Sequence, residues 1–402
     1  MLALSSQGAL KGVRMKVAIV GAGISGLALA AALHREGLDV TVYEKSPMVR
    51  IGGSGITLAP NALAALDSLG IGEPFRERQR QQGPLQGGQR SPRGTWLMRF
   101  PTEVTAQSLV IARDELHMLL ASALPRDLIR AGTRVERVVP LTGTLTLHDR
   151  EGRVQSETFD LVVGADGLTS AVRRAWPEDP GTRYAGYAAW RGLTEAPFEL
   201  DAVGAETWGT RARFGVAPLY DGRVYWFGVH TTHEPRRGHN NLEELHRLFD
   251  RWHSPIPEVI HASGENTIQY LPIVELAGEL CSFARGRTVL IGDAAHAMTP
   301  NLGQGACQGL EDAATLAVLL RSVVSTPRAA QSLETVLVKY DRLRRARASA
   351  IARSSRRIGR IAHMGGPALA SLRNELLRIM PDRLLAGQVM ATTRWTPPTT
   401  HA

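Results

Sequence analysis

The apolar residues of this chain fall into two textures. Near the start, Val17 to Val20 is a short, fully apolar run, which predicts a buried strand. Ile24 to Arg35 is rich in alanine and leucine and ends near Gly37, which predicts a helix. Val40 to Tyr43 is a second β-branched run. Together they form a βαβ unit of about 30 residues, the usual carrier of parallel pairing. The same texture predicts helices over Pro60 to Gly70 and Arg113 to Leu124. It predicts strands over Thr133 to Val139 and Leu141 to His148, and a buried strand within Phe159 to Gly167. Residues 77 to 95 are polar and turn-rich, and so are expected as a loop or an exposed edge.

Residues 183 to 275 alternate instead. Segments such as "RARFGVAPL" and "RVYWFGVH" have the period of two of antiparallel sheet, and four of the seven tryptophans lie here, as suits a packed sheet face. After Leu280 the first texture returns: "RTVLIGDAAH" holds a buried strand, Gln304 to Arg321 a helix, and the last seventy residues are mostly helical. The predicted fold class is α/β, with a discontinuous domain over 15–76, 102–182 and 276–330. A β-rich lobe over 77–101 and 183–275 interrupts it, and a helical region covers 331–402. Residues 1 to 14 have no basic leader ahead of their apolar part, and are expected as a disordered extension rather than a signal peptide.

Composition narrows the class. Hydrophobic residues make up 44% and charged ones 21% of 402, ordinary for a globular chain with a real core. No apolar run approaches the ~20 residues of a membrane span. Cys281 and Cys307 form no CxxC, which argues for a reducing cytoplasm. The net charge of +9 raises nucleic acid as a partner, but the 47 basic residues are spread along the whole chain. Their densest run, Arg342 to His363, keeps apolar residues at helical intervals and is expected to be a solvated helix with its other face on the core. His230, His233, His239 and His246 lack the spacing of a metal site.

Two glycine-rich strand-to-helix turns carry the chemistry. Gly21-x-Gly23-x-x-Gly26 lies between strand and helix, where Gly21 allows the turn, Gly23 lets a pyrophosphate approach, and Gly26 lets helix and strand pack. Glu44 ends the second strand, where a carboxylate accepts from a ribose hydroxyl. This fingerprint suits NAD or FAD equally. The second turn is "GDAAHAMTPNLGQGACQGLEDA", residues 292 to 313.

These motifs, with "GADGLTSAVR" at Gly164 to Arg173, resemble the para-hydroxybenzoate hydroxylase-like (group A) FAD monooxygenases over roughly residues 15 to 345. The segment "RYAGYAAWRGL" is similar to the urate, salicylate and hydroxybenzoate hydroxylase branch. The resemblance implies a Rossmann-like (GR2-type) domain binding FAD non-covalently, an inserted antiparallel substrate lobe and C-terminal helices. It implies that Asp293 binds the ribityl hydroxyls, that Gly303, Gly305 and Ala306 offer N–H groups to the flavin, and that Pro300 packs by its reactive edge. It adds Lys45, Gly55, Arg113 and Val135 as FAD neighbours. Asp166 is left between cofactor contact and local turn support, His296 between base and scaffold, and Trp190 between packing and substrate stacking. The implied reaction is NAD(P)H- and O2-dependent hydroxylation of an aromatic ring through a flavin C4a-hydroperoxide, by a monomer or homodimer. An FAD oxidase or dehydrogenase is the alternative.

The catalytic candidates are Arg213 and Tyr225, in a hairpin turning at Tyr220-Asp221-Gly222. A two-residue turn places them on opposite faces. A three-residue loop ending in a left-handed Gly222 places them on one face with Phe227 and Val229, and this register is the one expected. The segment resembles the urate hydroxylase branch, whose active-site Arg and Tyr match these positions.

Overall fold

The computed structural model describes residues 15–47, 54–100, 105–200, 203–233, 241–324 and 329–399. The expected extension over 1–14 lies outside them. A six-stranded sheet runs in the order Ala284–Arg285, Thr288–Leu290, Leu161–Gly164, Lys16–Val20, Asp39–Glu44, Ile129–Ala131. Every pairing is parallel except that of Ala284–Arg285 with Thr288–Leu290. Lys16–Val20 lies inside the sheet, and its residues from Val17 onward are buried. That double-sided burial explains its unbroken apolar run. Helix Ile24–Arg35 is the right length for the crossover to Asp39–Glu44.

A seven-stranded sheet runs Gln269–Leu276, Thr182–Leu193, Val224–Thr231, Ala212–Pro218, Val203–Trp208, Gln86–Arg90, Trp96–Arg99. It is antiparallel except where Val203–Trp208 meets Gln86–Arg90. Two helices that the alternating pattern did not foretell, Leu242–Phe249 and Ile256–His261, cover one face. They complete a core of Trp190, Phe214, Trp226, Phe249 and Val259.

The loop expected over 77 to 95 is corrected. Helix Glu73–Gln82 occupies its first part, and Gln86–Arg90 pairs with edge strand Trp96–Arg99 in the rest. The helix buries only Phe75, so it has almost no apolar stripe. Side-chain bonds dock it: Arg78 to Glu115 at 2.6 Å, and the Gln82 amide oxygen to the Val110 N–H at 2.8 Å. The C-terminal helix Ala329–Ala362 is more than a solvated face, because Arg344 within it is fully buried. Among the described residues, no helix is long and apolar enough to cross a membrane.

Candidate active site

The early turn is held from both sides. The Gly21 N–H donates to the Tyr43 carbonyl at 2.8 Å, with Gly21 at φ +106°, a conformation that favours glycine. The Ala22 N–H donates to Glu44 Oε2 at 3.0 Å and the Ser46 N–H to Oε1 at 2.8 Å, so the carboxylate is fixed beside the turn. A Cβ on Gly26 would lie 2.1 Å from the Gly21 carbonyl oxygen, so only glycine lets this helix approach. At Gly23 the nearest atom to such a Cβ is the Ala165 oxygen at 3.9 Å. The space a pyrophosphate needs is open there. Lys45 is exposed beside Glu44, and Val135 is buried in strand Arg134–Val139.

The late turn is braced from beneath. Asp312 Oδ2 accepts the Gly292 N–H at 2.8 Å and pairs with His296 Nε2 at 2.6 Å, while Oδ1 accepts from Arg344 at 2.6 Å. Burial alone would raise the Asp312 pKa, but His296 and Arg344 outweigh it and hold it at about 2. His296 is thus committed to the scaffold. Asn61 joins this network from another element, donating to Gln304 at 2.9 Å and Glu311 at 2.6 Å. Asp293, Pro300 and Gly303 are exposed, and Gly305 and Ala306 are partly buried at the start of helix Gly305–Val324.

Although some 270 residues apart, the two turns touch. Ser25 lies within the first, and its hydroxyl oxygen lies 2.7 Å from where a Gly292 Cβ would be and 2.1 Å from that of Gly309. Asp166 accepts from the Ala171 N–H at 2.6 Å, a local support, and burial raises its pKa. Its Oδ1 is buried without a hydrogen-bond partner among the described residues.

The hairpin has the expected register. Leu219 and Arg223 close a three-residue loop, with Gly222 at φ +84°. Arg213 pairs with Val229, Gly215 with Phe227 and Ala217 with Tyr225, so all these positions share one face. Arg213 and Tyr225 nevertheless lie four residues apart along it, ~13 Å at strand rise, and have different partners. Arg213 is 2% exposed; it donates to Glu206 at 2.9 Å and to Asn301, next to Pro300. Tyr225 lies against Gly55, where an added Cβ would meet the Tyr225 Cβ at 2.5 Å. Burial pushes the Tyr225 phenol pKa up, against the pull of Arg191 and Arg113. Arg113 is solvent-accessible yet hemmed in by protein; that desolvation and then Arg191 lower its pKa, while Asp293 and Tyr225 raise it. Arg191, Glu206 and Asn301 escaped sequence reasoning. Only alternation in "AAWRGL" hinted at Arg191, which pairs with Phe227 on this face.

The C-terminal helix roofs the Pro300 end. A Cβ on Gly359 would lie 2.4 Å from Asn301 Nδ2 and 3.3 Å from the Tyr187 hydroxyl. Asn301 donates to that hydroxyl at 3.0 Å, and His363 stacks on the Tyr187 ring at 4.3 Å and 20°. Burial first, and then Arg213, push the His363 pKa down to about 3. Trp190 belongs to the opposite face, buried against His230 and Tyr270, which makes it a packing residue. His230 bonds Tyr270 at 2.7 Å and His246 bonds Asp250 at 3.0 Å; His239 lies outside the described residues.

Comparison with known proteins agrees with this geometry. The family model described as "FAD binding domain" matches residues 14–355. The chain is 37% identical over 384 residues to the 2-heptyl-3-hydroxy-4(1H)-quinolone synthase of Pseudomonas aeruginosa, covering 92% of this chain and 95% of that protein. It is 34% identical over 391 residues to the aurachin C monooxygenase/isomerase of Stigmatella aurantiaca, covering 95% and 99%. Klebsiella pneumoniae HpxO, solved with FAD and uric acid, superposes with a TM-score of 0.81 at 27% identity, over 94% of this chain and 96% of that one. The open cradle at Gly23, the braced Glu44 and the late turn fit FAD, and the chain belongs to the family of FAD-dependent aromatic monooxygenases.

Proposed function

We propose that this flavoprotein monooxygenase hydroxylates an oxygen-bearing aromatic or heteroaromatic ring, held between the Pro300 turn and the sheet face of Arg191, Arg213 and Tyr225. The observation that carries this is the composition of that face: two guanidiniums, a phenol and the apolar Phe227 and Val229 in one register. The relatives agree in kind, one being named for a heptyl quinolone and another, 32% identical, as a 3-amino-4-hydroxybenzoate 2-monooxygenase. In this reading the six-stranded sheet and its turns hold the cofactor, and the seven-stranded sheet holds the ring.

Bound FAD supplies electron transfer from NAD(P)H and the activation of O2. The protein's residues bind and orient. Glu44 accepts from a ribose hydroxyl, Gly23 and the start of helix Ile24–Arg35 face the pyrophosphate, and Asp293 accepts from the ribityl hydroxyls. The N-terminus of helix Gly305–Val324 favours negative charge at the flavin end. Tyr225, its pKa raised, keeps its proton and donates it in a hydrogen bond to the ring oxygen, while Arg191 favours that oxygen's anionic form. An anionic oxygen enriches the ring toward electrophilic attack. Arg213, held by Glu206 and Asn301, fixes the other end of the ring relative to Pro300. The Gly55 strand lies over Tyr225 and keeps water from that side.

The test is a screen of phenolic acids, purines and quinolones for stimulated NAD(P)H oxidation, with oxygen from 18O2 traced into product. Arg213→Ala and Tyr225→Phe should each keep FAD yet lose coupled hydroxylation or ring affinity. Two fully active variants would refute the assignment.

A further inference from the structure

The surplus of positive charge is confined to one end of the chain. Basic residues occur throughout, but of the 38 acidic residues only Glu375 and Asp382 fall within 342–402, against twelve of the 47 basic ones. The last 61 residues therefore carry +10 and the other 341 carry −1, which together make the net +9. Acids from earlier in the chain pair with Arg344, Arg345, Arg347, Arg353 and Arg356. Arg357 and Arg360, both exposed, have no ion pair among the described residues.

These two cations end helix Ala329–Ala362 and precede helix Pro367–Arg378, whose apolar residues do not all face the protein. Ala370 and Arg373 mark its seated side, and both are buried. Arg373 anchors that side, donating to the Ala362 carbonyl at 2.9 Å and the Gly209 carbonyl at 3.0 Å, and strand Trp96–Arg99 packs against the helix. Leu369, Leu372, Leu376 and the C-cap Ile379 follow at spacings of three, four and three, which puts them in one stripe on the flank of the seated side. They are 49%, 58%, 54% and 74% exposed. Four large aliphatic neighbours so exposed form a patch rather than scattered surface residues.

More cations surround the patch. Arg99 is exposed on the strand that packs against the helix. Arg211 is exposed, and its Nε lies 2.5 Å from where a Cβ would be on Gly365, in the turn before the helix. Glu375, an exposed acid on the helix, is paired with Arg378 at 2.5 Å.

A second copy of the chain suits this stripe poorly. Its 12 residues span about 18 Å, and a face about 10 Å wide offers about 200 Å2 per copy, against about 800 Å2 per partner in a stable complex. Two copies would also bring like charges together. An anionic lipid surface suits both features, because its acyl boundary takes up aliphatic side chains and its phosphates attract arginine. We propose that the exposed stripe of helix Pro367–Arg378, with Arg357 and Arg360 ahead of it and Arg99 and Arg211 against it, docks this protein on an anionic membrane surface without crossing it. The docking rests on none of the roles given to Arg191, Arg213 and Tyr225.

The test spins FAD-loaded protein with vesicles of phosphatidylcholine alone or of an equal mixture with phosphatidylglycerol, and reads flavin in the pellet. Wild type should pellet with the mixed vesicles, and less so as salt rises. The double variant Leu372→Asn, Leu376→Asn should bind at least about tenfold more weakly, from the lost aliphatic area, at unchanged FAD content. The double variant Arg357→Gln, Arg360→Gln should also bind about tenfold more weakly, and it decides if the leucine variant loses FAD. Leu141→Asn, at a 75% exposed leucine outside this region, should pellet as wild type does. No pelleting of wild type, either double variant binding as wild type does, or an equal loss in Leu141→Asn overturns the docking. So does a wild-type dimer that the leucine variant converts to a monomer in light scattering, which would assign the stripe to a second copy.

Discussion

Replacing Arg344 with methionine keeps most of the side-chain volume and removes one buried charge. In the native protein that guanidinium is 1% exposed and bonds Asp312 at 2.6 Å, Glu311 at 2.5 Å and the Gln308 side chain at 2.8 Å. Both carboxylates are fully buried. Removing one partner of such a pair costs about 3–5 kcal/mol, because the remaining charge is stranded. Arg347 still reaches Glu311 at 2.7 Å and His296 still reaches Asp312 at 2.6 Å, which favours the lower end, about 3 kcal/mol. A fall in melting temperature of roughly 6–12 °C follows at about 2–4 °C per kcal/mol. The Asp312 pKa is depressed in the fold, so its stabilisation is present above the ordinary carboxylate value of 3.8 and is lost as pH falls toward about 2. The gap between wild type and variant should therefore be full at neutral pH and narrow on acidification below about pH 4. Differential scanning fluorimetry across that range measures it, with exposed Arg80→Ala as a control expected to melt as wild type. A variant melting within about 2 °C of wild type at neutral pH, or a gap that widens in acid, would refute the network argument.

Asp293→Ala should weaken FAD binding by about 1.5–3 kcal/mol, the worth of a charge-assisted bond to a sugar hydroxyl. Flavin fluorescence after gel filtration reads this, and full retention would contradict the role given to the late turn. Gly55→Ala should displace Tyr225, whose Cβ would lie 2.5 Å from the new methyl, at a cost of about 1–3 kcal/mol. The KM for the ring should rise in the fraction that retains FAD, Gly55 being itself an expected FAD neighbour; an unchanged KM would show that Tyr225 does not contact the ring.

Some of this architecture was legible because local rules and global packing agree. Val17 to Val20 is apolar throughout because the strand is buried on both faces, and the hairpin register was expected because it groups a cation, a phenol and apolar neighbours on one face, which Gly222 at φ +84° permits. Other parts were hidden for identifiable reasons. Helix Glu73–Gln82 docks by side-chain hydrogen bonds, so it has almost no apolar period to read. Arg344 looks like a surface position, because the carboxylates that neutralise it lie more than thirty residues earlier in the chain. Arg191 meets Tyr225 only through strand pairing. The shared face of Arg213 and Tyr225 was readable, but their separation along it was not, since that depends on which other elements each side chain meets.

The close passage of Gly359 over Asn301 and the stack of His363 on Tyr187 also set an order of assembly. Synthesis runs from N- to C-terminus, so strand Thr182–Leu193 and the Pro300 turn leave the ribosome before the helix that roofs them. A nascent chain ending before residue 359 already holds both glycine turns and the Ser25 contact between them, yet Tyr187 still shows a bare ring face. The backbone of both cofactor turns is therefore synthesised before the residues that enclose a ring, but the Arg344 brace of the late turn arrives with the same helix as Gly359. Closure over Tyr187 and the bracing of the late turn thus come together, with helix Ala329–Ala362.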